Sequence, residues 1–170
     1  MATTVTNGTL KVTITEQCYL NGRNQGGSQT FSVSSINEIF QRVVSIAADD
    51  DATVLVFKST VSIAGGTADT GGDGALDKED VKYIRITNLD DTNSVNVSLQ
   101  LDSDEDNSAA NASITHLLEA GRSFIMGTVD EGAHASTANA NIVTALTDLE
   151  SIIVDPGANA GTVELFVASV

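Results

Sequence analysis

Hydrophobic and polar residues alternate most regularly over residues 81–101, VKYIRITNLDDTNSVNVSLQL. In its second half Val95, Val97, Leu99 and Leu101 alternate with Ser94, Asn96, Ser98 and Gln100. A two-residue period places every apolar side chain on one face of a β-strand and every polar one on the other. In the first half Ile84 and Ile86 alternate with Tyr83, Arg85 and Thr87, and residues 89–93 between the halves form a polar Asn/Asp turn. The pattern with so short a loop predicts an antiparallel hairpin with one wet face.

The same period recurs elsewhere. Leu10, Val12 and Ile14 alternate with Lys11, Thr13 and Thr15 in a first strand that extends toward Leu20. Residues 21–28, NGRNQGGS, form a mobile Gly/Asn turn, and residues 29–34 follow with Phe31 and Val33 inward. Residues 36–48 satisfy two patterns at once. Ile36, Ile39, Phe40, Val43, Val44 and Ala47 have helical spacing, with Ser35 and Glu38 as a capping box, while Phe40, Val44 and Ile46 fit a strand. Context favours the strand. TVLVFK at 53–58 is apolar on both faces, as in a strand at the middle of a fold. Further strands are expected at 114–118, 123–128, 151–154 and 163–167, with Ile142, Leu146 and Leu149 spaced as one or two helical turns.

About nine strands divided by turn signals, without βαβ alternation, predict an all-β fold: an antiparallel two-sheet β-sandwich of jelly-roll-like topology, with one or two short helices allowed. Residues 1–170 are read as a single domain with an extended N-terminal arm at 1–9. At this length folding buries roughly 70% of the unfolded chain's surface. The core must be Val, Ile, Leu and Ala, since Trp is absent and aromatics are only 4%.

Charge narrows the partners. The formal net charge is −15, from 23 acidic and 8 basic residues. Repulsion from phosphates then argues against nucleic acid and anionic membranes as partners. MATTVTNGT at the N-terminus has neither a basic nor an apolar region, so no signal peptide is expected. No run approaches the about 18 apolar residues needed to span a bilayer. These features predict a soluble chain made in a reducing cytoplasm. The single cysteine, Cys18, excludes an internal disulfide and is expected as a small buried apolar residue.

Candidate chemistry is sparse. In the loop 64–80, Asp69, Asp73, Gly74, Leu76 and Asp80 fall at positions 1, 5, 6, 8 and 12 of a calcium loop. Position 3 is Gly71, position 12 lacks the bidentate Glu, and the flanks are not helical, so a Gly-rich acidic surface loop is the favoured reading. Asp102, Asp104, Glu105 and Asp106 make a solvated charge run. His116 in a strand and His134 in a loop have no G-x-S-x-G elbow to serve. Asn7, Asn96 and Asn111 head chance matches to the glycosylation pattern. No catalytic, cofactor-binding or metal-ligating residue is assigned, and no enzyme is expected.

YIRITNLD at 83–90, NSVNVSLQL at 93–101, HLLEAGRSFIM at 116–126 and the terminal VELFVASV together resemble small β-sandwich virion proteins of tailed, cyanophage-like bacteriophages. The likeness runs over roughly residues 53–170 and is one of pattern; Arg122 departs from it, standing where such sequences often have an acid. The resemblance implies a capsid decoration (cement) protein. Its alternatives are a neck, tail or baseplate component or, from another class, a carbohydrate-binding adhesion module. Sugar stacking needs exposed aromatics, and only Tyr19, Tyr83 and five Phe are present. The resemblance further implies the major capsid protein or other virion proteins as partners, a homo-oligomer with a trimer favoured, and location in the virion after assembly in the host cytoplasm.

Overall fold

The computed structural model describes residues 7–58, 75–101, 112–127, 134–135 and 147–170. Among these there is no helix. The chain folds as the two-sheet β-sandwich that its alternation predicts, and strand order defines it further. The strands are β1 (Gly8–Thr15), β2 (Tyr19–Leu20), β3 (Arg23–Asn24), β4 (Ser28–Ile36), β5 (Glu38–Ile46), β6 (Ala52–Lys58), β7 (Leu76–Asp77), β8 (Val81–Asn88), β9 (Val95–Leu101), β10 (Ala112–Leu118), β11 (Ser123–Met126), β12 (His134–Ala135), β13 (Thr147–Asp155) and β14 (Gly161–Ser169). One sheet has the order β11-β8-β14-β5 and the other β10-β9-β13-β6, extended by the two-residue β7 and flanked by β12. All pairings among β5, β6, β8, β9, β10, β11, β13 and β14 are antiparallel. Successive strands step from sheet to sheet at β5–β6, β7–β8, β8–β9, β10–β11, β11–β12 and β13–β14, which is the double Greek-key winding of a jelly roll.

This order corrects the expected hairpin at 81–101. Strands β8 and β9 lie in different sheets, and residues 89–94 arch between them. Alternation fixes which face of each strand is dry but not which strand lies beside it. A loop of this length crosses the ~10 Å between packed sheets as readily as it turns within one. The apolar faces then meet: Ile84, Ile86, Val163, Leu165 and Val167 from one sheet pack against Val97, Leu99, Leu101, Ile152 and Val154 from the other.

Two ambiguous stretches resolve through their neighbours. Residues 38–46 are a strand because β5 pairs with β14 along its whole length, from Ser169↔Glu38 to Gly161↔Ile46. The break that separates it from β4 is sharp, with Ser35 at φ 64°. Strand β6 is not central; beyond β13 its other neighbour is only the short β7. Its double apolar character comes from a bulge opposite Ile152/Ile153, which turns Val54 and Leu55 both inward and leaves Val56 exposed. Leu149, expected in a helical turn, is instead a buried residue of β13, whereas Ile142 and Leu146 lie outside the described residues.

A second, smaller cluster forms on the outer face of the four-stranded sheet. The β1–β4 hairpin lays Val33 and Ile36, with Leu10, Val12 and Phe31, over Tyr83, Phe166 and Ala168. Gly8 and Thr9, read from sequence as part of an arm, belong to β1; residues 1–6 lie outside the described residues. Beside the hairpin the Arg85 guanidinium meets the Glu164 carboxylate at 2.8 Å and sits 5.9 Å over the Phe166 ring. This pair is partly exposed, and such pairs contribute at most about 1 kcal/mol.

Candidate interaction surface

Two features organise the surface. One is the hairpin beyond its seat. From Thr13 to Thr30 every residue except Gly26 is exposed, so this part stands clear of the sandwich as a finger. Local chemistry explains how it holds shape. Asn21 and Gly22 adopt φ 50° and 75°, which is what a two-residue turn of the I′ type requires between β2 and β3. Below the turn, Gln25 N–H donates to the Cys18 carbonyl at 2.7 Å and Glu16 N–H to the Gly27 carbonyl at 2.8 Å. The Asn24 side-chain oxygen accepts from the N–H groups of Cys18 and Gly26. Gly26 is required there, because a Cβ would overlap the Glu16 carbonyl. Hydroxyl pairs Thr13–Thr30 and Thr15–Ser28 brace the stem. At the tip, Tyr19 is 72% and Leu20 62% exposed.

The other feature is the end of the sandwich where all four arches gather: residues 47–51, 89–94, 119–122 and 156–160. Asn88, fully buried, is the corner post. Its amide donates to the carbonyls of Asn93 (2.8 Å) and Leu118 (3.2 Å), and its side-chain oxygen accepts from Asp90 N–H at 3.0 Å. It thus ties the ends of β8 and β10, in opposite sheets, to the arch between β8 and β9. The Asp49 N–H donates to the Gly157 carbonyl and Gly121 N–H to the Asp90 carbonyl, so neighbouring arches brace one another.

Asp90 closes its own turn by accepting from the N–H groups of Thr92 and Asn93, each at 2.8 Å. These hydrogen bonds, Asn93's first and Thr92's next, favour the carboxylate and hold its pKa below the ordinary 3.8, against the opposing pull of desolvation. A folded pKa below the unfolded one means a contribution complete above the ordinary value and lost as pH falls through the lowered one. Asp90→Asn should therefore melt at a lower temperature than the native chain at neutral pH, with the gap closing once the pH drops below 3.8. Thermal melts of both proteins across that range check this; a gap independent of pH would contradict it.

The residues singled out for chemistry are scattered. His116 is an exposed residue of β10, opposite Val97, with its ring 5.7 Å from Phe124 of β11. His134 lies in β12. Cys18 is exposed in the finger rather than buried, because it sits past the point where the hairpin leaves the sheet. In the acidic loop, Asp69 and Asp73 lie outside the described residues. Asp77 uses its carboxylate and carbonyl to cap a turn, accepting from Glu79 N–H and Asp80 N–H. Asp102, Asp104, Glu105 and Asp106 also lie outside the described residues, as does Asn111. Among the described residues no three Asp, Glu, His or Cys side chains are grouped to hold a metal ion. Asn96 and Ser98 fall on the polar face of β9, and Asn7 precedes β1. Sequence reading passed over both organising features. Asn21-Gly22 is a strong hairpin signal hidden in a stretch read only as mobile, and Asn88 gives no signal in sequence, since its partners come from the 89–94 arch and from the end of β10 in the opposite sheet.

No family model and no curated protein matches the chain. It is similar to a chain from the disulfide-linked pili of Bacillus endospore appendages, at 12% identity and a TM-score of 0.37, over 78% of this chain and 88% of that one.

Proposed function

We propose that the protein is a non-enzymatic structural protein of a bacteriophage virion, a capsid decoration (cement) protein that binds and stabilises the assembled head. The jelly-roll winding is compatible with this role and does not select it, since lectin and cupin domains share it with viral capsid proteins. The observation that carries the reading is where the resemblance falls. The segments 83–101, 116–126 and 163–170 resemble phage virion proteins, and they supply β8, β9, β11, β14 and two of the four arches. Of these strands β11, β8 and β14 are neighbours in one sheet, and β9 lies in the other, joined to β8 by one of those arches. Repeated docking on a shell asks for a rigid body, and the cross-braced arch end provides one.

Its action is mass action. A protein that binds only the assembled shell, and not the free subunits, stabilises the shell by RT ln(1 + c/Kd) for each site it fills, c being its free concentration. No bond is made or broken.

Quantitative mass spectrometry of purified particles, with a low-resolution map of the same particles, tests the proposal. Copies on the order of hundreds, arranged on the shell lattice, are expected of a decoration protein in a symmetric assembly. A handful of copies at one vertex would move the protein to the neck, tail or baseplate. Absence from particles would overturn the virion reading altogether.

A further inference from the structure

The distribution of charge along the chain follows the fold. Before Glu38 there are two basic residues, Lys11 and Arg23, and one acidic residue, Glu16, giving a formal charge of +1. From Glu38 onward there are 22 acidic and 6 basic residues, giving −16. The boundary falls at the break between β4 and β5, so the hairpin and its finger are the part of the molecule that a strongly acidic body does not repel.

From this, and from Tyr19 and Leu20, exposed at the tip, we infer that the finger is an arm that docks onto the sandwich of a second copy of this protein. Three features carry the inference. Two bodies at −16 repel, whereas the finger from Thr13 to Thr30 carries only Glu16 and Arg23 and is formally neutral, so a contact made through it avoids that repulsion and sets Arg23, beside the apolar tip, against an acidic body. Tyr is among the residues enriched at the centres of interfaces, and here it stands exposed beside Leu20 with the backbone around it already fixed. The turn and its brace at Asn24 and Gly26 hold the finger before binding, which lowers the ordering cost of association. A two-stranded ribbon without packing is marginal in water, so a partner surface supplies what its own chain does not. The inference stands apart from the virion reading: it concerns how copies meet each other, whatever larger body they join.

Sedimentation of the full chain across micromolar concentrations tests it, with circular dichroism and thermal melts as the check on folding. The native protein should self-associate. A double variant, Tyr19→Ser with Leu20→Ser, should weaken association by at least about tenfold, and Arg23→Glu should weaken it also. Neither should lower the melting temperature of the body, because these side chains are exposed. The single cysteine offers a second readout: maleimide should modify Cys18 more slowly at associating concentrations in the native chain than in the double variant. A native chain that stays monomeric, or a folded double variant that associates as well as the native one, overturns the inference. A monomeric chain found in many copies on particles would overturn the arm and leave the virion reading standing. A self-associating chain absent from particles would do the reverse.

Discussion

Asn88→Ala should lower the unfolding free energy by about 3 kcal/mol. The substitution deletes three hydrogen bonds at a fully buried position. What remains behind matters more than what is removed: the carbonyls of Asn93 and Leu118 and the N–H of Asp90 lose their partners. Each stranded group costs about 1–3 kcal/mol where water cannot reach it, and the arch lets water reach some of them. Urea unfolding with an unchanged slope gives the measurement. Asn88→Asp sharpens the test, because a carboxylate would face two carbonyl oxygens in a buried corner. At neutral pH that variant should be less stable than Asn88→Ala, recovering as acid protonates the new carboxyl and restores one donor. A loss from Asn88→Ala below about 1 kcal/mol would mean that the arch carbonyls are already hydrated and that the corner is not sealed by this side chain.

The same corner shows where sequence stops informing. The alternation was legible and correct from Ile84 in β8, throughout β9 and from Val163 to Val167 in β14, because every second residue there is buried between the two sheets. Pairing was not legible. Val81–Asn88 and Val95–Leu101 have the pattern of a hairpin and the structure of an arch, since the hydrophobic period is the same whether the next strand lies beside or opposite. The ends of β8 and β10 meet at Asn88 and the arch it holds, a meeting that alternation does not record.

The other misreadings share a cause. Cys18 has the composition of a core residue but lies on a hairpin whose outer half has no sheet beneath it. The apolar run in β6 looked central because a bulge turned two adjacent side chains inward. Where the strand was ambiguous with a helix, at 38–46, the decision came from nine paired positions on β14 and not from local propensity. The finger went unread because exposure of Tyr19 and Leu20 is a property of how far the hairpin extends past Phe31, and no local pattern records that length.

Tyr83→Ala should cost about 3–4 kcal/mol, and the more informative result is where the loss is felt. Tyr83 is 4% exposed and stands between Phe31, at 6.4 Å between ring centres, and Phe166, at 6.1 Å. Burial holds its phenol above the ordinary pKa, with Arg85 pulling the other way. Its neighbours in β8, Ile84 and Ile86, belong to the core between the sheets, whereas Tyr83 belongs to the cluster under the hairpin. Truncation therefore empties the seat of β1 and β4 without opening the sandwich. Amides of β1 and β4 should then exchange far faster with solvent while those of β9 and β13 keep most of their protection. Leu165→Ala, removing a fully buried side chain from between the sheets, should cost about as much, roughly 3 kcal/mol, and lower protection across both sheets together. Tyr83→Phe should preserve the seat. If Tyr83→Ala instead lowers protection evenly through hairpin and sandwich, the two clusters unfold as one unit. The hairpin would then be part of the core's own stability and not an appendage that can bend and dock without disturbing the body that bears it.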